Sequence, residues 1–280
     1  MLQIVPLDRH KKADRKRFIK LPFSLYRDDP NWVAPLNMAQ HILLSNKEPF
    51  YEHAEMQLFM AVRDGKDTGR IAATENRVHN EVHEDKVGFV GFFECENDAD
   101  VARALFDAAG EWLRHRGLDT MRGPVNLSTN HTIGLFVSGE DGPPMVDMPY
   151  NPKYYTQLFT GSGFDKVMDV LAYKLDVTEP ATMERLRKMA ERVKRKPGIT
   201  TRTIDMKHFD REMTILKDIY NNAWEKNWGF LPLSEKEFDH IAEDLKMIVD
   251  PAMVHFVFID GKPAAFQATI RYFDARVGEI

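Results

Sequence analysis

Residues Met56 to Thr74 read MQLFMAVRDGKDTGRIAAT, two apolar runs joined at Asp64-Gly65. An Asp-Gly pair accepts the left-handed backbone of a two-residue hairpin loop, so Met56 to Val62 and Thr68 to Thr74 are predicted to pair as antiparallel strands. The dipeptide returns at Asp260-Gly261, and Asn31-Trp32 returns as Asn227-Trp228. Both recurrences are displaced by 196 positions (64 to 260, 31 to 227), which marks a tandem duplication. In each copy a polar, helix-like stretch with aromatic residues runs through Asn-Trp and a proline, Pro35 or Pro232, into a second helical segment. A strand, the turn and another strand follow. The second copy reads as incomplete, because Ile280 corresponds to Glu84 and the part of the first copy from there to about Val177 has no counterpart.

Working outward, Leu2 to Leu7 reads as a strand and Lys11 to Tyr26 as a helix broken or ended near Pro22, with a second helical stretch from Met38 to about Ser45. Val87 to Glu94, VGFVGFFE, makes a third strand of the hairpin group. The clearest helix follows. Asp98 is its N-cap, Val101, Leu105, Ala108 and Trp112 share a face, and Gly117 lies just past its end. Thr120 to Pro149 is rich in Gly, Pro, Ser and Asn, with strand-like pieces around Met121 and Leu135; long irregular stretches of this kind often carry function. Tyr154 to about Thr160 is a short helix ended by Gly161 and Gly163, and Val167 to Leu175 a last strand. The expected organisation is a first domain over 1–177, a basic linker helix over 178–198 and the start of a second domain over 199–280.

Composition narrows the class. The 280 residues are 43% hydrophobic and 29% charged, with a net charge of −5, which suits a globular protein with one or two cores and gives no global attraction for nucleic acid. One cysteine, Cys95, leaves no internal disulfide framework and no multi-cysteine metal site. The N-terminus turns basic over Lys11 to Arg17 without a signal-peptide apolar region, and no run reaches bilayer length. A cytoplasmic location, peripheral to a membrane at most, is expected.

The order of elements, strand, two helices, three antiparallel-type strands, helix, strand, short helix and strand, resembles the GNAT acyltransferase fold, an α/β fold on a mixed sheet. It covers 1–177 as one unit and 199–280 as a second, unfinished one. Asn151 ahead of the short helix closed by Gly163-Phe164 is the best local element. GRIAA, HNEVH, GFFE, MRGP, YNPKYY and GF, taken in order, are similar to a bacterial group of tandem GNAT-like proteins that includes bacterial ceramide synthases, which N-acylate sphingoid bases. The resemblance implies N-acyl transfer to an amine, in that group a long-chain sphingoid-type one. The co-substrate would be an acyl-CoA or acyl carrier protein thioester, with no bound cofactor and no metal.

Two departures stand against that expectation. GNAT enzymes rest the acyl-CoA pyrophosphate on a glycine-rich loop at a helix N-terminus, where free N–H groups favour an anion. The matching stretch, Glu94 to Asp100, has no glycine and four carboxylates, each disfavouring phosphate by roughly 0.3–1 kcal/mol. Phe159 also stands where many GNATs carry the tyrosine that protonates the leaving thiolate. Tyr155, one turn earlier on that face, or Tyr154 with another helix rotation, is the substitute; surface packing of both is the bland alternative.

Amine acylation needs a base. Glu94, ending VGFVGFFE, is one candidate, against a helix-capping role; His131 is another, against a loop histidine with no role. Asn126, Asn130 and Asn151 can hydrogen-bond an amide or pantetheine-like group, or simply form turns. His79 and His83, four apart beside Glu75, have metal-ligand spacing, while a polar hairpin excursion explains them without a metal. Cys95 lies between two glutamates that raise a thiol pKa. The basic stretch Arg185 to Lys196 is a candidate surface for an anionic membrane, an acyl carrier protein or a CoA phosphate, or a solvated linker. Trp224, Trp228 and Phe230 lack basic interleaving and read as core, not as a nucleic-acid stacking surface. A non-catalytic GNAT-fold binding or scaffold protein is the rival to the enzyme.

Overall fold

The computed structural model describes residues 1–139, 142–145 and 148–270. The chain forms two compact units, one of Met1–Met168 with Trp228–Leu231 and one of Asp169–Asn227 with the described residues from Pro232 onward. The remainder of the 199–280 segment, 271–280, and positions 140, 141, 146 and 147 of the Gly/Pro-rich stretch lie outside the described residues.

Unit 1 contains β1 (Leu2–Leu7), α1 (Lys12–Leu25), α2 (Asn37–Leu43), a 3-10 turn (Pro49–Glu52), β2 (Ala54–Arg63), β3 (Lys66–Asn76), α3 (Arg77–His83), β4 (Val87–Cys95), α4 (Ala99–Arg114), β5 (Thr120–Arg122) and α5 (Tyr155–Gly161). The strands lie in chain order in one sheet, antiparallel through β4, with β5 added in parallel along Val87–Phe89. Its two faces carry separate cores. Phe59, Ile71, Val90 and Phe93 pack with α4 and α5 on one face; Leu58, Met60, Ala72 and Phe92 pack with Phe18 and Leu21 of α1 on the other. Such alternation along a strand is what two covered faces require.

Unit 2 contains α6 (Pro180–Lys194), β6 (Ile199–Thr203), α7 (Phe209–Trp224), α8 (Glu235–Ile248), β7 (Val254–Ile259) and β8 (Lys262–Ala268), with 3-10 turns at Met206–His208 and Pro251–Met253. The order strand, helix, helix, 3-10 turn, hairpin repeats that of unit 1. Asp64-Gly65 and Asp260-Gly261 both take positive φ, 51° and 81° in one and 50° and 76° in the other, a conformation that suits an Asp-Gly hairpin turn. Each hairpin is also bulged at the same place, between Ala61 and Val62 and between Val257 and Phe258.

Several local expectations are corrected. α1 does not end at Pro22; it runs on to Leu25 with Pro22 buried inside it. Proline lacks the N–H that would reach the carbonyl of Phe18, and that carbonyl accepts instead from Arg70 Nη1 at 2.7 Å. Asp98 caps α4 as expected, but the buried stripe is Val101, Leu105, Ala109 and Leu113, with Ala108 and Trp112 only partly buried. Around Leu135 there is no strand, only a single bridge between Val125 and Ile133. Val167 to Leu175 also forms no strand, and its apolar side chains are exposed; strand propensity yields a strand only where a neighbour supplies the ladder. Trp224 and Trp228 are exposed too, while Phe230 is buried. Among the described residues no helix is long and apolar enough to cross a membrane.

Candidate active site

The site is built on β4. Arg70 and Glu94 are cross-strand partners, but the register slips before Ala72 meets Gly91, so Phe92 and Phe93 bulge opposite Ile71, with Phe92 at φ 50°. A bulge at this point re-aims the side chains that follow it. Glu94 is turned to a polar cluster, where its Oε2 accepts from the Tyr26 hydroxyl at 2.8 Å and the Tyr155 hydroxyl at 2.7 Å. Arg70 Nη2 stands 3.7 Å from Oε1. Tyr155 in turn accepts the Cys95 N–H at 2.9 Å, and the neighbouring Tyr154 donates to the Cys95 carbonyl at 2.7 Å.

These groups hold one another. Burial raises the Glu94 pKa, opposed by Arg70 and by the two tyrosine hydroxyls that stabilise the carboxylate. Burial and the Glu94 charge push Tyr26 and Tyr155 well above the ordinary phenol value. Burial also disfavours the Arg70 cation, whose Nε is buried without a hydrogen-bond partner among the described residues. The Glu94 side chain keeps 15% exposure against 6% for Arg70, while Tyr155 keeps 1%. Glu94 is therefore the more reachable of the three, and Tyr155 communicates with a bound molecule only through it.

Asn126 sits beside the bulge, its Oδ1 accepting the Phe92 N–H at 2.7 Å, while its Nδ2 has no hydrogen bond among the described residues. The two segments lie close: a Cβ on Gly91 would stand 2.1 Å from the Val125 carbonyl oxygen. His131 is held in its own loop, its Nδ1 3.0 Å from Ser128 Oγ and its ring against Phe50. Asn130 donates to the Leu231 carbonyl at 3.0 Å, and Thr129 to that of Gly229 at 2.5 Å. Asn151 ties itself to Phe136 and Pro152, accepting from the Phe136 N–H and donating to the Phe136 and Pro152 carbonyls. The structure thus joins Glu94, Tyr155 and, through Cys95, Tyr154 directly; Asn126 adjoins them at Phe92; Asn130, His131 and Asn151 order the loops beyond.

Glu94 does not cap α4. Asp98 does, taking the N–H groups of Asp100 and Val101 at 3.0 and 3.1 Å, and it is ion-paired with Arg63 while Lys66 holds Glu96 at 2.6 Å. Two first-turn donors that would meet a phosphate are therefore already occupied. Cys95 is fully buried and pushed up to about 12 by burial and by Asp98, Glu96 and Glu94. His79 packs against His83 and lies 3.5 Å from Asp85, and burial with the His83 charge lowers its pKa to about 4. Glu75 turns to Arg116. Among the described residues no three His, Cys, Asp or Glu converge as a metal site. In unit 2, α6 is exposed on nearly every face, its basic side chains and Met189 and Val193 alike.

Sequence reasoning missed Arg70 and Tyr26. For Arg70 a signal existed: a cation inside GRIAA, where the alternation calls for an apolar residue, needs a carboxylate on the next strand. Tyr26 gives no such signal, since only the packing of α1 brings it to Glu94.

No family model matches the chain. It is 41% identical over 269 residues to bacterial ceramide synthase of Caulobacter vibrioides, covering 94% of this chain and 68% of that protein. It is 36% identical over 255 residues to protein YghO of Escherichia coli, covering 91% of this chain and 65% of that one. The chain thus spans about two thirds of the length of these curated relatives. A tandem GNAT protein from the clavulanic acid biosynthesis pathway matches in structure over 97% of this chain and 76% of its own, at a TM-score of 0.52 and 12% identity, a likeness of fold.

Proposed function

The chain belongs to the tandem GNAT-like bacterial group that contains bacterial ceramide synthase, and from that premise we propose that it serves an N-acyltransferase whose acceptor is a long-chain, sphingoid-type amine. The donor is an acyl thioester of CoA or of an acyl carrier protein. The observation that carries this reading is Glu94: a carboxylate at the end of a bulged strand, held by two hydroxyls and still partly open.

In this mechanism the neutral amine nitrogen attacks the thioester carbonyl carbon, the C–S bond breaks, and the amine proton passes to Glu94, directly or through a water. Asn126 Nδ2 is the proposed donor to the developing oxyanion. The departing thiolate is protonated from Glu94, directly or through the same water, and Tyr155 acts by holding that carboxylate. Tyr154 positions Tyr155 and the Cys95 peptide, and Asn130, Asn151 and His131 shape the acceptor loop, with His131 as the reserve base. We place the reaction in the cytoplasm at a membrane surface, with the exposed basic helix α6 as a docking face for the carrier protein or for anionic lipid.

One specific observation favours the second reading, a GNAT-fold binding or scaffold protein: both the Phe92 N–H and two first-turn donors of α4 are engaged by the protein's own Asn126 and Asp98. The test is incubation of the chain with acyl-CoA or acyl carrier protein thioester and a sphingoid base, with mass-spectrometric detection of the amide. Amide that disappears in Glu94→Gln supports the enzyme. Calorimetric binding of the amine without turnover by either donor supports the scaffold.

A further inference from the structure

α1 and α2 of unit 1 border a groove of about 540 Å³ lined by Lys12, Lys16, Lys20, Arg27, Ile19 and Phe23, among others. Lys12, Lys16 and Lys20 recur every four residues, so the helix presents them as one stripe. All four cations are exposed, and none forms an ion pair among the described residues. Their field is felt by His41 in the groove wall, whose pKa is lowered by burial and then by Arg15, Lys12 and Lys16. Asp28, next to Arg27, is an exposed carboxylate on this surface.

The loop beside the groove is apolar where a solvated loop would be polar. Trp32 is pinned by Phe23 and Tyr26, with ring centroids 5.2 and 5.1 Å away. Beyond it, the loop Val33-Ala34-Pro35-Leu36 and the first residues of α2, Asn37-Met38-Ala39, are exposed throughout and hold one polar side chain; Leu36 is 75% and Met38 74% exposed. α2 as a whole has seven residues and buries none of them fully. So short a helix gains little by itself in water, and its stability ordinarily comes from packing an apolar face.

We propose that this α1–α2 face lies on an anionic bilayer, with Lys12, Lys16, Lys20 and Arg27 meeting phosphate headgroups while Leu36 and Met38 enter the headgroup–acyl boundary. Unneutralised cations beside an exposed, uncharged apolar segment are the two attractions an interfacial element combines. A folded acidic partner would use the cations and leave Leu36 and Met38 unexplained. The surface belongs to unit 1 and α6 to unit 2, and the inference does not rest on the identity of the acyl acceptor.

The test is flotation of the intact chain with vesicles of phosphatidylcholine alone or mixed with phosphatidylglycerol. Each basic residue near such a surface contributes about 5-fold to partitioning, so Lys12→Gln with Lys16→Gln and Lys20→Gln should lose about 100-fold on the anionic vesicles. Leu36→Asn with Met38→Asn should lose about 10-fold at constant charge. High salt should release the wild type, and all these side chains are exposed, so thermal unfolding should be unchanged. Undiminished flotation of the lysine variant, or loss of flotation only when Arg185, Lys188 and Arg192 of α6 become Gln, overturns the proposal. So does a wild type that ignores vesicles but binds an acyl carrier protein through the same lysines.

Discussion

β3 and β8 hold the same place in two hairpins with the same turn and the same bulge, yet β3 is buried along most of its length and β8 is exposed at all but one position. The difference lies in what comes next. β3 is paired with β4 and covered by α4 through Leu105 and Val101, which approach Gly69 so closely that a Cβ there would stand 2.8 and 3.1 Å from them. β8 pairs only with β7 among the described residues. The chemistry follows burial: Arg70 is tolerable inside β3 because β4 places Glu94 across from it, and the residue at its counterpart in the repeat, 196 positions on, is Phe266. The polar cluster belongs to the extended sheet of unit 1, not to the repeated element.

The comparison can be broken most directly at Glu94. If the cluster does chemistry that unit 2 lacks, Glu94→Gln should lower amide formation by about 10²–10⁴-fold, with the tyrosine hydroxyls still able to donate to the amide oxygen. Because the Glu94 pKa is raised above 4.5, the acidic limb of the wild-type rate profile should fall above that value. The folded state then holds this proton more tightly than the unfolded state. Stability should therefore decline as pH rises from about the ordinary value through the folded one, and the difference between wild type and Glu94→Gln, read by denaturation at a series of pH values, isolates that slope. A rate and a slope both unmoved would remove Glu94 from the mechanism.

Arg70→Leu sharpens the contrast by stability. It leaves the Glu94 carboxylate and the Phe18 carbonyl without their cation, which should destabilise unit 1 by about 3–5 kcal/mol, whereas Phe266→Leu in unit 2 should cost under about 1.5 kcal/mol. Hydrogen exchange resolved by unit measures both; equal costs would mean that the two strands are supported alike. Gly91→Ala should cost about 1–3 kcal/mol by overpacking against the Val125 carbonyl, read as a shift of the denaturant midpoint. The smallest effect is expected at the start of α4: Asp98→Ala should cost about 1 kcal/mol of helix capping. It also frees the Asp100 and Val101 N–H groups at the start of α4. CoA binding by this variant but not by wild type, in a calorimetric titration, would identify Asp98 as the group that excludes the pyrophosphate.

Much of the fold is legible because its causes are local. Asp64-Gly65 specifies its turn by backbone sterics, Asp98 specifies the start of α4 by reaching N–H groups two and three residues away, and the repeat shows itself in matched turns. The same reasoning failed at Val167 to Leu175, where apolar and β-branched residues found no ladder, and at Pro22, where a lost helix bond became a bond to Arg70. Glu94, Tyr155 and Tyr154 were legible as candidates through the family resemblance, but their arrangement was not.

The sequence by itself determined the two hairpins, the duplication, the capped helix and the family, since each depends on neighbouring residues or on the order of elements. Tertiary structure alone decided that Tyr26, Arg70, Glu94 and Tyr155 meet, that Asn126 takes the Phe92 N–H, and that residues 228–231 pack with unit 1. Those contacts join residues far apart in the chain, and their free energy comes from desolvation and pairing that exist only once the sheet and its helices have assembled.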